Sequence, residues 1–169
     1  MAETAQQYVE RILRHSDGLD GLSVLAETPV RLEALLAGTP GENWRVSAAP
    51  GRWSAGEVLA HLADCEIVAG WRVRAILATD GAPLQPFDQD AWAEAFRYAD
   101  IDLAESLQTF TAARRSLLSL LRRVDPARHR HHGLHAERGR ETIGHLIALY
   151  AGHDLNHLTQ IESLVQIGT

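Results

Sequence analysis

The stretch from Thr142 to Gln166 constrains this chain most. Its apolar residues fall at Ile143, Leu146, Ile147, Leu149, Tyr150, Leu155, Leu158, Ile161, Leu164 and Val165, the spacing of a long helix with one buried side. Two residues four apart on a helix return to within ~40° of each other, so His153 and His157 point the same way. Leu146, Tyr150, Gln160 and Leu164 share that side. An imidazole pair on a mostly apolar stripe needs a partner. Two neutral imidazoles one turn apart are a common way to hold a transition metal.

A second long pattern supplies a third histidine. Ser54-Ala55-Gly56-Glu57 reads as a capping box, with Trp53 and Val58 at the staple positions. The helix it starts is expected to run from Ala55 to about Ala78 and to end at Thr79-Asp80-Gly81. His61 lies in its second turn, on the side of Val58, Cys65 and Val68, and so faces inward. Three histidines on two inward helix faces make a facial N3 site with positions left for water or substrate. Asp64, one turn after His61, is a candidate fourth ligand or an acceptor behind the ligands. Tyr150 and Gln160 are candidates to line the pocket. Asp154 points ~100° away from His153 and is expected to pair with an arginine. Cys65 is a conceivable ligand, but a free buried cysteine is usually just a small hydrophobe.

Elsewhere, helical patterns run from Thr4 to His15, from Leu22 to Leu36 and from Asp100 or Asp102 to about Val124. Thr28-Pro29 either kinks or restarts the second of these. Residues 127–140 are basic and rich in histidine, and Gly133 and Gly139 argue for a solvated loop. A cationic rim for an anionic substrate is the functional reading of that segment. Strands are not expected, because β-branched residues are scattered. Four long helical patterns with one long crossover imply an all-α, four-helix bundle. A short N-terminal helical extension, residues 1–18, precedes the bundle at 19–169.

Composition narrows the function. Sixteen basic against 22 acidic residues, net −6, argue against a nucleic-acid-binding surface. One cysteine excludes an internal disulfide and a cysteine-rich zinc site. No signal core or membrane-length apolar run is seen, so a cytoplasmic location is expected.

The segment from Arg52 to Glu66 resembles the first signature of the DinB/YfiT-like family. Gly152 to Ile161 resembles its second, and the middle, with Arg72 and Arg74 after the first motif and Ala113-Arg114-Arg115-Ser116-Leu117-Leu118 in the third helix, also has the family's look. The resemblance covers about Leu22 to Val165. It implies a four-helix bundle with a long crossover, a homodimer, and a divalent metal ion (nickel, zinc or iron) on His61, His153 and His157. It also implies a small-molecule substrate and the transfer of a low-molecular-weight thiol to an electrophile in detoxification or stress response. A metal-dependent hydrolase and a non-catalytic metal-binding dimer are the alternatives. Three neutral imidazoles leave a divalent ion its full charge, which favours an anionic fourth ligand such as an external thiolate.

Overall fold

The computed structural model describes residues 3–167. Met1, Ala2, Gly168 and Thr169, at the ends of the two expected segments, lie outside the described residues. The helices are α1 (Ala5–His15), α2 (Gly21–Gly38), α3 (Ala55–Ala78), the short α4 (Gln89–Ala95), α5 (Leu103–Arg123) and α6 (Ile143–Val165). α2, α3, α5 and α6 form a four-helix bundle. α3 and α2 each pack against α5 and α6, so helices consecutive in sequence, α2 then α3 and α5 then α6, occupy opposite corners. Among the described residues no helix is long and apolar enough to cross a membrane.

The caps behave as their chemistry dictates. Ser54 Oγ accepts from the Glu57 N–H at 3.3 Å, and Glu57 Oε2 accepts from the Ser54 N–H at 2.8 Å. Asp102 caps α5 and Thr142 caps α6 through their side-chain oxygens. Ser54→Ala is expected to lower stability by ~1 kcal/mol, read as a lower urea midpoint; an unchanged midpoint would remove the capping box from the account.

α2 is continuous through Pro29. Proline has no N–H, so the Leu25 carbonyl four residues earlier lacks its helical donor. Arg114 Nη1 on α5 donates to that oxygen at 2.8 Å. A defect in one helix thus becomes a hydrogen bond between two.

The core has two apolar ends. One gathers Leu32, Trp44, Leu59, Leu62, Phe110, Leu158 and Ile161. The other gathers Val73, Ile76, Leu117, Leu121, Ile143 and Leu146. Between them lies a buried polar layer. Arg114 Nε and Nη2 donate to the two Glu66 oxygens at 2.7 and 2.8 Å, and Nη1 and Nη2 donate to Asp154 at 2.7 and 3.1 Å. With Leu25, all five guanidinium protons have acceptors. Burial pulls the Arg114 pKa down, but Asp154 and Glu66 together outweigh it and hold the cation. Burial raises the Glu66 carboxyl against the opposing effect of Arg114. This ion cluster ties α3, α5 and α6 together at the level of the histidines.

The structure corrects the strand-free reading. Ala82–Leu84 (β1), His132–His135 (β2) and Gly139–Thr142 (β3) form a small sheet in that order, β1 parallel to β2 and β2 antiparallel to β3. The strands are too short for a legible alternation, and the buried positions are Ala82 and Leu84 in β1 but Gly133, His135 and Glu141 in β2 and β3. Gly133 is needed there because a Cβ would collide with Leu84. β2 and β3 form a hairpin at the entry to α6, within the segment expected to be a loop.

The extension packs along α6. Ile12 is fully buried, and Ser16 Oγ donates to the Ala148 carbonyl at 2.9 Å. Gly152 makes this approach possible, since a Cβ there would run into the Ile12 carbonyl.

Candidate metal centre

The second turn of α3 and the middle of α6 bring three imidazoles together. Ring centroids are 5.2 Å apart for His61 and His153, 5.1 Å for His61 and His157, and 4.4 Å for His153 and His157. His61 and His153 are buried and His157 is half-buried. The ion cluster fixes their backbones: Glu66 lies on α3 just past His61, and Asp154 directly follows His153. Trp53, at 5.2 Å between centroids, packs against His61.

The closest nitrogens are His61 Nε2 and His153 Nε2, at 3.2 Å. Two ligands ~2.1 Å from one ion, at angles between octahedral and tetrahedral, stand roughly 3.0–3.4 Å apart, so this pair fits a shared ion. The His153 Nδ1 has no hydrogen-bond partner in the protein. His157 Nδ1 lies 2.8 Å from Gln160 Oε1. An amide oxygen only accepts, so Nδ1 carries the proton and Nε2 keeps its lone pair. Gln160 therefore holds His157 in the tautomer a metal requires.

Cys65 is closer to this group than its reading as a hydrophobe implies. Its Sγ is 3.5 Å from His61 Nε2, and the ligand atoms of His61, Cys65 and His153 all lie within 4.8 Å of one another, a group that does not include His157. The i, i+4 spacing from His61 was the available signal. Burial, reinforced by Glu66, pushes the thiol pKa far up, so without a nearby cation Cys65 is a neutral thiol.

The other candidates separate. Asp64 takes a short hydrogen bond from the Tyr98 hydroxyl and lines an outer groove with Ala60, Ala63 and Ile101, on a different side from the histidine cluster. Tyr150 lies beside His153, with centroids 6.5 Å apart, and lines a cavity of about 180 Å³ that also exposes His61, Cys65 and His153. His157 and Gln160 open on a neighbouring depression of about 420 Å³. Tyr8 and Gln89 border both hollows, so α1 supplies a wall of the site that its distance in sequence conceals. Of the basic residues in 127–140, only Arg138 reaches the cavity, and it is already paired with Glu141 at 2.7 Å. The cationic rim that is the functional reading of this segment is not assembled there.

Electrostatics keep the rings neutral. Burial, then the nearby His157, lowers the His61 pKa to about 3. Burial and the other two rings hold His153 well below the ordinary imidazole value. Burial also lowers His157, partly opposed by Gln160. Away from the cluster, burial and then Arg138 bring His135 to about 4. Unfolded, each of these rings titrates near 6.5. As pH falls below 6.5 the unfolded chain takes up protons that the folded chain refuses, so stability falls with pH. The loss continues until the folded values, about 4 for His135 and about 3 for His61, are passed. Metal-free protein is expected to show a lower urea midpoint at pH 5.5 than at pH 7.5; equal midpoints would contradict buried neutral rings.

Comparison with known proteins agrees with this architecture. The sequence profile of the DinB superfamily matches residues 25–161. A protein of Oceanobacillus iheyensis, provisionally named a metal-dependent hydrolase, is 29% identical over 143 residues, covering 85% of this chain and 83% of its own. One from Geobacillus thermodenitrificans with the same provisional name is 27% identical over 154 residues, covering 89% and 85%. The solved structure of YfiT from Bacillus subtilis, described as a probable metal-dependent hydrolase with an unusual four-helix bundle topology, superposes with a TM-score of 0.80 at 20% identity. It covers 98% of this chain and 90% of its own. That last likeness is one of fold.

Proposed function

We propose that this chain, which belongs to the DinB superfamily, is a metal-dependent enzyme whose divalent ion is held by His61, His153 and His157. The observation that carries this reading is the set of three neutral imidazoles with ring centroids 4.4–5.2 Å apart, His61 Nε2 and His153 Nε2 standing 3.2 Å from each other and the His157 ring held by Gln160, beside an open cavity. Nitrogen donors of this kind suit nickel, zinc or ferrous iron. When bound, the ion supplies Lewis acidity that lowers the pKa of a coordinated thiol or water.

The reaction we favour is transfer of a low-molecular-weight thiol to an electrophilic substrate. The thiol loses its proton to solvent; the sulfur forms a bond to the electrophilic carbon, and the leaving group departs with the electron pair. A thiol ionises near pH 8.5 and water near 15.7, so the thiol needs far less help. The buried carboxylates are committed elsewhere: Glu66 and Asp154 to Arg114, and Glu141 to Arg138. None is free to serve a water nucleophile as its base. The provisional names of the relatives favour a second reading, metal-dependent hydrolysis.

The partners in this reading are a small-molecule substrate and a second copy of the chain. Ile67 and Trp71, one turn apart on α3 and each more than half exposed, offer an apolar surface for a homodimer. The reaction is tested by loading the protein with nickel or zinc and following an activated aryl halide with and without a panel of small thiols. Thiol-dependent turnover is the expected result. Turnover of esters or amides undiminished without thiol would replace transfer by hydrolysis.

A further inference from the structure

Three arginines have their guanidinium groups in or near the core, and two of them face carboxylates. Arg114 has Glu66 and Asp154; Arg138 has Glu141. Arg72, on α3, has none. It is only 3% exposed, and among the described residues no ion pair includes it. Its contacts are all neutral. Nη2 donates to the Gln85 carbonyl at 2.6 Å, and Nη1 donates weakly to the Tyr150 hydroxyl at 3.5 Å. The Phe87 ring lies 6.0 Å from the guanidinium carbon.

The fourth neighbour makes the imbalance worse. His135 Nε2 is 3.3 Å from Arg72 Nη2. The His135 Nδ1 accepts from the N–H groups of Glu137 and Arg138, at 3.2 and 3.4 Å. A neutral imidazole that accepts at Nδ1 carries its proton on Nε2. Two donors therefore face each other, with no acceptor between them. Tyr150 adds another donor: its oxygen accepts from Arg72, which leaves its own proton to give. Burial raises the Tyr150 pKa, so that proton stays in place.

A buried cation without a counter-ion is costly, and natural cores seldom keep one unless something pairs with it. The space for that partner is present. Arg72 and Tyr150 line the cavity of about 180 Å³ whose other side is His61, Cys65 and His153, and no aspartate or glutamate lines it. At ~30 Å³ per water the cavity has room for a group of about six waters' volume. We propose that Arg72 and Tyr150 form an oxyanion seat that takes a carboxylate or phosphate of the substrate and turns its reactive end toward His61 and His153. The substrate class is thus a small anionic molecule. The direction of the reactive end rests on the proposed metal-dependent reading; the seat itself rests on Arg72 and Tyr150.

The test uses the full chain without metal, so its outcome is independent of the metal and thiol experiments. Thermal unfolding is followed in sodium acetate and in sodium phosphate, each against sodium chloride at equal ionic strength. The midpoint is expected to rise and saturate with one of the two oxyanions, and the arm that saturates at lower concentration identifies carboxylate or phosphate. Arg72→Gln is expected to weaken that dependence at least tenfold, and Arg72→Lys to recover part of it. If Arg72→Gln does not fold, Tyr150→Phe decides: a threefold or greater loss of apparent affinity supports the seat, and unchanged affinity overturns it. Equal shifts in chloride and both oxyanions, or an oxyanion shift that survives Arg72→Gln, would also overturn it.

Discussion

Arg114→Leu is expected to destabilise the fold by about 3–5 kcal/mol, the largest single-residue effect on stability in this protein. The substitution leaves Glu66 and Asp154 buried with no cation between them. It also strips the Leu25 carbonyl of the donor that Pro29 cannot provide. Urea denaturation of the full chain measures the loss, and one below about 1 kcal/mol would contradict the role given to the ion cluster. Replacing Arg114, Glu66 and Asp154 together with leucine is expected to cost less than Arg114→Leu alone, because no unpaired charge remains. Because Glu66 and Asp154 sit beside Cys65 and His153 in sequence, Arg114→Leu should also loosen the histidine geometry.

The parts of this architecture that were legible in the sequence are those written in local chemistry. α3 begins and ends where Ser54-Ala55-Gly56-Glu57 and Thr79-Asp80-Gly81 place its limits. Helical spacing put His153 and His157 on one side of α6. The ~100° offset of Asp154 foretold an arginine partner, and that partner is Arg114. What stayed hidden depends on tertiary contact. The small sheet pairs Ala82 with Gly133 across some fifty residues of chain, and its strands are three or four residues long with buried positions that mix Ala82 and Leu84 with Gly133, His135 and Glu141, so no alternation announced it. The Tyr8 wall exists only because Gly152 admits Ile12 against α6. Arg72 entered the sequence reading only through the family resemblance, and its burial without a carboxylate is visible only once Gln85, Phe87 and His135 surround it. The angle of Asp64 on α3 turns it to the Tyr98 hydroxyl.

His153→Ala is expected to abolish stoichiometric metal binding and activity together, with affinity lowered by at least two orders of magnitude. His153 Nε2 is the nitrogen 3.2 Å from His61 Nε2, and its loss breaks that pair. Gln160→Leu, which frees the His157 tautomer, is expected to weaken the metal 10–100-fold. Cys65→Ala is expected to keep metal and activity, because three imidazoles already supply a facial donor set. Metal analysis after equilibrium dialysis of the three variants measures these differences. Full occupancy in His153→Ala would remove that ring from the ligand set.

The central claim is that one divalent ion sits on His61, His153 and His157 with room left for a substrate. X-ray absorption at the metal edge of the nickel- or zinc-loaded protein tests it most directly. The account predicts one ion per chain, a shell of nitrogen and oxygen at ~2.0–2.2 Å with the scattering of three imidazoles, and the same shell in Cys65→Ala. Sulfur at ~2.3 Å that vanishes in Cys65→Ala, or fewer than three imidazoles, would contradict it.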